Sequence, residues 1–347
     1  MTYKIVIQPS AHQLDVDENE TILDAALRHG FSFPYGCRGG ACGACMGKVV
    51  SGSIDYRGDR PRGISDQEEI AGQVLFCQAY PSSDLEIEVH EILAQEEIRV
   101  KTLPVRLAHK EKLTHDIMRL KLQLPQSERL QFLAGQYIDI LLADGRRRAF
   151  SLANAPHDDE YLELHVRHVE GGEFTDKVFD SLQEKSLLRM EGPHGDFFLR
   201  EESERPMILI GGGTGFAPLK GIIEHALASD HHRPMHLFCG VRAGRDLYMD
   251  AMVKGWMQEY DFVQYTPVLS EPSDEDKWSG ALGFVHQEVL KQYQNLVDFD
   301  IYMSGPPIMV KTARDAFREQ GVADENMFYD SFDYAADTLK KIEEGAD

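Results

Sequence analysis

Four cysteines constrain this chain more than any other feature. Cys37, Cys42 and Cys45 stand in the run Cys-Arg-Gly-Gly-Ala-Cys-Gly-Ala-Cys, and Cys77 follows after 31 intervening residues. Thiolates at C-x4-C-x2-C…C spacing can ligate both irons of a [2Fe–2S] cluster. Gly36, Gly39, Gly40 and Gly43 share the loop. Without a Cβ, such a backbone can turn N–H groups toward the sulfurs and tune their potential. Zinc fits less well, because structural zinc sites use paired C-x2-C knuckles or closely spaced histidines. A disulfide set needs an oxidising compartment, and nothing in the sequence points to one. An electron carrier is expected near the N-terminus.

The 347 residues suffice for two or three domains at about 100–200 residues each. No apolar run approaches the roughly 18 residues of a membrane span. The opening MTYKIVIQPSAH reads as a strand, not a signal peptide, because it has no unbroken apolar core. With four of five cysteines claimed by the cluster, a reducing cytoplasm is the expected home. Cys239, the fifth, reads as a small buried hydrophobe. A net charge of −22 argues against nucleic acid and anionic lipid as partners. Residues 1–95 carry 14 acidic against 7 basic side chains, a net −7. A solvated surface accounts for this, and a partner with a basic docking face is the alternative.

In chain order, residues 3–7 and 12–16 read as two strands joined at Pro9-Ser10. Thr21 is placed to cap a helix from Ile22 to His29, closed by Gly30. One strand is expected from Lys48 to Ile54 with a glycine interruption, and another over Leu85–Val89, where apolar and acidic residues alternate. Residues 91–101 read as a linker. From Leu103 the pattern is again β: Pro104–Ala108, a strict alternation from Ile117 to Leu124, Gln136–Leu142 and Tyr161–Arg167. Short strands separated by turns suggest a small antiparallel barrel.

The barrel segment carries chemistry. In Arg148-Ala-Phe150-Ser151, an arginine can grip phosphate, an aromatic ring can lie against a flat ring, and a hydroxyl can bond a ring nitrogen. His165-Val166-Arg167 follows, then Gly171-Gly172-Glu-Phe-Thr175 opening a helix where a pyrophosphate could sit. Gly192-Pro-His-Gly195 reads as a tight turn, with His194 a turn residue rather than a ligand. At 203–206 the period changes. Pro206–Ile210 is a continuous apolar run, as in a parallel strand buried on both faces. It enters Gly211-Gly-Gly213-Thr214-Gly215-Phe-Ala-Pro218 and a helical Leu219–Ala228. Strand, glycine turn and helix suit a dinucleotide pyrophosphate, although the glycines are not spaced G-x-G-x-x-G. Runs at Met235–Gly240, Phe262–Leu269 and Phe299–Ser304, with helices between, complete a parallel α/β region. After Leu269 the sequence reads Ser270-Glu271-Pro272, an acid where a 2′-phosphate needs a cation; Arg242 and Arg245 lie near the other candidate position. The expected coenzyme is NADH over NADPH.

These stretches bear family resemblances. Residues 1–95 resemble a plant-type ferredoxin, which implies a β-grasp domain with Cys37, Cys42, Cys45 and Cys77 as cluster ligands. The R-x-F-S and G-G-x-x-T segments resemble the FAD barrel of the ferredoxin–NADP⁺ reductase superfamily, expected over 103–203 after a 96–102 linker. Phe150 stands where that family has tyrosine, and Thr175 where it has serine. GGGTGFAP and Ser304-Gly305-Pro306-Pro307-x-Met309 resemble its NAD domain, expected over 204–334, with Ser304 in place of the family's cysteine. An acidic tail, read as a frayed helix, fills 335–347. The resemblance implies multidomain architecture, α+β and α/β, and electron flow from NADH through FAD and the cluster to a separate protein. That acceptor would be an oxygenase component or a CDP-deoxysugar dehydrase. Ser151 and Ser304 would frame hydride transfer. Arg148, Phe150, His165, Val166, Arg167, Gly172, Thr175 and Phe332 would contact FAD. Gly213, Thr214, Gly215, Gly240, Arg242, Gly305 and Pro306 would contact the nucleotide. The changes at Phe150 and Ser304 leave open an iron–sulfur carrier or redox sensor with an impaired reductase half.

Overall fold

The computed structural model describes residues 2–29, 31, 33–34, 40, 43, 45–58, 60–89, 98–229 and 232–332. Cys37, Cys42, the Gly30 helix stop, most of the 91–101 linker and the 335–347 tail lie outside the described residues.

The cysteine-bearing region is built on a five-stranded sheet. Its elements are β1 (Thr2–Gln8), β2 (Gln13–Asp17), α1 (Ile22–Arg28), β3 (Met46–Ser51), β4 (Ile54–Asp55), α2 (Asp66–Ile70), β5 (Gln73–Leu75), β6 (Tyr80–Pro81) and β7 (Leu85–Glu88). The order is β2-β1-β7-β3-β5, with β1 and β7 parallel. The strand expected from Lys48 to Ile54 is two strands. The chain breaks at Gly52-Ser53, and β4 pairs with β6 in a separate ribbon. Helix α1 starts as its cap dictates: Thr21 Oγ1 accepts from the Asp24 amide at 3.1 Å, worth about 1 kcal/mol. The helix ends at Arg28, with His29 as its C-cap. Ile5, Ile7 and Ile87 alternate inward against its buried face.

The second sheet is antiparallel and six-stranded, from β8 (Lys101–Lys112), β9 (Ile117–Gln123), β10 (Tyr137–Leu141), β11 (Arg147–Ser151), β12 (Leu162–Arg167) and β13 (Leu187–His194), ordered β11-β10-β13-β8-β9-β12. β8 begins at Lys101 because Lys101 and Thr102 pair with Gly192 and Glu191. One antiparallel bridge, Leu152 with Leu164, joins the two edges of the sheet. The expected barrel is thus an antiparallel sheet curled until its edges touch, without a complete closing ladder. Helix α3 (Glu173–Asp180) follows β12. Gln131 Nε2 donates to Phe33 O at 2.8 Å, linking this sheet to the cysteine-bearing region.

The third sheet is parallel throughout: β14 (Met207–Gly212), β15 (Met235–Val241), β16 (Val263–Leu269), β17 (Ala281–Leu282), β18 (Asp300–Gly305) and β19 (Met327–Ser331), ordered β17-β16-β15-β14-β18-β19. Helices α4 (Phe216–Ala228), α5 (Asp250–Glu259), α6 (Val285–Gln292) and α7 (Pro307–Glu319) connect the strands. β14 and β18 are buried at every residue, which is why their sequences are apolar runs and not alternations. No helix among the described residues is long and apolar enough to cross a membrane.

Candidate functional site

Two of the four cysteines can be placed. Cys45 leads into β3 and Cys77 follows β5, and those strands pair with Met46 opposite Leu75. The Phe76 amide donates to Cys45 O at 3.1 Å, and both cysteines are buried. This puts two thiol-bearing positions side by side, as a donor set for iron requires.

The second and third sheets meet at a seam. Ser151, ending β11, directs its hydroxyl at Asp330 of β19, 3.3 Å from Oδ2. In the parallel sheet Asp330 stands opposite Ser304 of β18, and Ser304 stands opposite Gly211 of β14. Of the two serines expected to frame the reacting atoms, Ser151 bonds the Asp330 carboxyl group, and Ser304 is its register neighbour on the adjacent strand. Ser304 is fully buried and its Oγ has no hydrogen-bond partner among the described residues. A buried polar atom is normally satisfied, so an orphan at this point fits a site completed by a ligand. Burial raises the Asp330 carboxyl to about 6, against the lowering effect of the Ser151 hydrogen bond. Tyr137 faces Ser151 across β10 and β11.

On β11, Phe150 packs against Phe174 of α3, ring centroids 5.4 Å apart. Arg148 is partly exposed, and its guanidinium donates to the Arg147 carbonyl at 2.9 Å. The helix expected to open near Gly172 does so, with Gly172 at its N-cap. Thr175 Oγ1 lies 2.9 Å from Val169 O and 3.0 Å from Gly172 O and accepts from the Val169 amide at 3.2 Å. Its hydroxyl thus shapes the loop that a phosphate would meet. Val166 is fully buried. His165 is also turned inward: Nε2 lies 2.9 Å from Glu163 Oε1 and Nδ1 3.2 Å from the Tyr248 hydroxyl. Burial pushes His165 down, so the neutral ring donates from Nε2 and accepts at Nδ1. Only the backbone of these two residues could touch a cofactor. Arg167 instead reaches outward, its Nε 2.8 Å from Asp116 Oδ2.

The glycine turn takes its shape from what crowds it. Gly213 has φ +54°, and a Cβ there would stand 3.0 Å from the Arg167 guanidinium. A Cβ on Gly215 would lie 2.0 Å from Ser304 O and 2.8 Å from Gly305 N, a clash of backbone on backbone. The turn and the Ser304-Gly305-Pro306 loop are therefore one packed unit. Pro306 caps α7, and the Phe332 amide, just past β19, donates to Gly305 O at 3.0 Å. Thr214 is half-buried in the turn. Beside it opens a cleft of ≈ 320 Å³ lined by Arg167, Gly212, Gly213, Gly240, Arg242, Asp246, Ser270, Phe284 and Met309, among others. The Glu271 amide donates to Arg242 O at 2.8 Å, which sets the acid next to the cleft's arginine.

The sequence singles out none of Asp330, Tyr137, Asp116 and Asp246, and names Met309 only as part of its motif. Asp330 lies two residues before Phe332, which the resemblance gives as a flavin contact.

An antiparallel sheet bonded to a parallel α/β sheet through Ser151 and Asp330, with a cysteine-bearing sheet ahead of them, has the form of a flavin- and pyridine-nucleotide-dependent oxidoreductase. Three families match in the same order: a 2Fe-2S iron-sulfur cluster binding domain over residues 5–82, an oxidoreductase FAD-binding domain over 104–199 and an oxidoreductase NAD-binding domain over 209–315. The CDP-6-deoxy-L-threo-D-glycero-4-hexulose-3-dehydrase reductase of Yersinia pestis is 37% identical over 96% of this chain and 99% of its own length. The phenol hydroxylase P5 protein of Acinetobacter pittii is 33% identical over 97% and 96%. The crystal structure of the Amycolatopsis cytochrome P450 reductase GcoB superposes with a TM-score of 0.64 at 33% identity, covering 95% of this chain and 99% of that one. The chain belongs to the iron–sulfur flavoprotein reductases of the ferredoxin–NADP⁺ reductase superfamily. It is an NAD(P)H-dependent electron-transfer component, with [2Fe–2S], FAD and nicotinamide nucleotide as its cofactors.

Proposed function

We propose that this protein takes electrons from NADH at the seam between its second and third sheets and delivers them, through its N-terminal cluster, to a separate CDP-deoxysugar dehydrase. The observation that carries the reading is the seam itself: Ser151 of the antiparallel sheet bonds Asp330 of the parallel sheet, one strand from the buried, orphaned Ser304 hydroxyl, where a ring lying on β11 and a ring entering over the glycine turn would meet. Identity over nearly the full chain is higher to the dehydrase reductases than to the phenol hydroxylase component, which favours the dehydrase as acceptor. An oxygenase component is the second reading, supported by near-complete coverage of that family as well.

FAD accepts two electrons as hydride and passes them on singly when bound; the chain's own groups set the rest. Arg148 offers a cation to the FAD phosphates, assisted by the α3 N-terminus at Gly172 and the loop that Thr175 ties. Phe150 and Phe332 would cover the ring, and the curled sheet would serve as the barrel that seats it. Gly213–Gly215 and the α4 N-terminus receive the nucleotide pyrophosphate, with Gly240, Arg242, Gly305 and Pro306 shaping its cleft. Ser151 and Ser304 would flank the two rings where hydride transfer requires their close approach. Asp330, protonated below about pH 6, can hold a proton at the Ser151 hydroxyl. Cys37, Cys42, Cys45 and Cys77 ligate the cluster on a β-grasp domain, and the site operates in a reducing cytoplasm. Glu271 beside Arg242 disfavours a 2′-phosphate, so NADH is preferred over NADPH.

The test reconstitutes purified holoprotein with either a CDP-hexulose dehydrase and its substrate or an oxygenase component. NADH oxidation coupled to dehydrase product supports the reading. Coupling only to the oxygenase would transfer the role to the second reading, and a higher kcat/KM with NADPH would refute the coenzyme assignment.

A further inference from the structure

We propose that Lys220 is a positioning residue for hydride transfer, holding the nucleotide helix at a fixed distance from the flavin strand. Lys220 sits on α4, the helix that begins at the glycine turn, and its side chain is 6% exposed. The ammonium donates to Ala153 O at 2.9 Å and to Glu224 Oε2 at 2.8 Å, and lies 3.5 Å from Glu163 Oε1. Ala153 comes two residues after Ser151, and Glu163 is on β12. One buried cation of the parallel sheet's helix is therefore gripped by the antiparallel sheet at two points.

The surroundings make this grip specific. Burial disfavours the Glu163 carboxylate, but the His165 hydrogen bond and the Lys220 charge hold it down at about 2. The Ala153 amide donates to Glu163 O at 2.8 Å, which closes the link back to the strand. His165 continues the chain to Tyr248 of the nucleotide region. Gly221, the next residue of α4, lies flat on the same segment: a Cβ there would stand 3.0 Å from Asn154 O and 3.2 Å from Leu152 O. A helix pressed so closely has no room to slide, and the Lys220 ion pairs fix its rotation. Because α4 carries the turn that receives the pyrophosphate, a small shift at Lys220 moves the nicotinamide relative to the ring on β11. Misplacement of about 1 Å can cost up to a hundredfold in rate.

This inference rests on reading the seam as the hydride-transfer site. The experiment follows flavin reduction by NADH in stopped flow, together with hydrogen exchange at the Ala153 amide in FAD-free protein. In Lys220→Met holoprotein we expect the limiting rate to fall about tenfold or more while FAD content holds and the apparent Kd for NADH changes less than about threefold. Exchange at Ala153 should quicken. A second variant, Lys220→Met with Glu224→Leu, removes the Lys220–Glu224 ion pair, an exchange that is often neutral or stabilising, and leaves Glu163 its hydrogen bond with His165. The slow limiting rate should persist in it even where thermal stability returns to that of the wild type. Recovery of the rate with stability, or a wild-type rate in either folded variant, would overturn the proposal. A wild-type protein that NADH does not reduce would overturn the reading of the seam itself.

Discussion

The strand assigned to the flavin and the turn assigned to the nucleotide in the proposed reading are built from opposite materials. β11 presents side chains from an alternating strand, so Arg148, Phe150 and Ser151 each offer one replaceable group. The turn at Gly213–Gly215 presents backbone, and its geometry depends on atoms the sequence leaves out. Side chains can vary: where the resembled family has tyrosine and serine, Phe150 keeps a stacking face and Thr175 keeps a hydroxyl. The turn cannot: at Gly215 a single methyl meets the Ser304 carbonyl at 2.0 Å. Function here is tolerant where chemistry is carried by substituents and brittle where it is carried by packing.

Gly215→Ala tests the brittle side and carries the largest expected effect. The methyl must push β18 or the turn aside, a strain costing about 1–3 kcal/mol. The limiting rate of flavin reduction by NADH should fall more than about hundredfold, measured by stopped flow, with a lowered Tm. A near-wild-type rate would mean that the turn is as adaptable as the strand.

Asp330→Asn probes the point where the two meet, with an intermediate effect. The wild-type carboxyl titrates near 6 in the folded protein against 3.8 for its ordinary value. Between those values the native state binds the extra proton, so stability falls as pH rises from about 4 to about 6 and levels off above. The asparagine variant should lose that slope in urea unfolding. It should also lose the inflection near pH 6 in the limiting rate of flavin reduction. An unchanged profile would take Asp330 out of the site. Phe150→Tyr tests the tolerant side and should change the least: FAD content and limiting rate within about twofold of wild type, since the stacking face is common to both rings. A large gain would show that the lost hydroxyl matters and that β11 is less forgiving than argued.

The same contrast explains what could be read from the sequence. The parallel sheet was legible because β14 and β18, buried on both faces, write themselves as apolar runs. The glycine turn was legible because its motif is local. The antiparallel sheet was legible in its alternation, but its curl was not, since the Leu152–Leu164 bridge depends on twist accumulated over six strands. Asp330 and Lys220 were invisible for a related reason. Asp330 reaches Ser151 across 179 residues and Lys220 reaches Ala153 across 67. An acid and a lysine read as surface groups until the fold draws each against a distant strand. His165 was found, but as a cofactor contact; its ring belongs to the buried network with Glu163 and Tyr248.

The most direct test of the central claim is an anaerobic titration of the purified holoprotein with NADH, followed by absorbance and electron paramagnetic resonance. The account predicts that the flavin band bleaches and that a rhombic signal of reduced [2Fe–2S] grows in the same sample. Bleaching with no cluster signal in excess NADH would contradict a continuous path from nucleotide to iron, and no bleaching at all would remove the seam as the site of transfer.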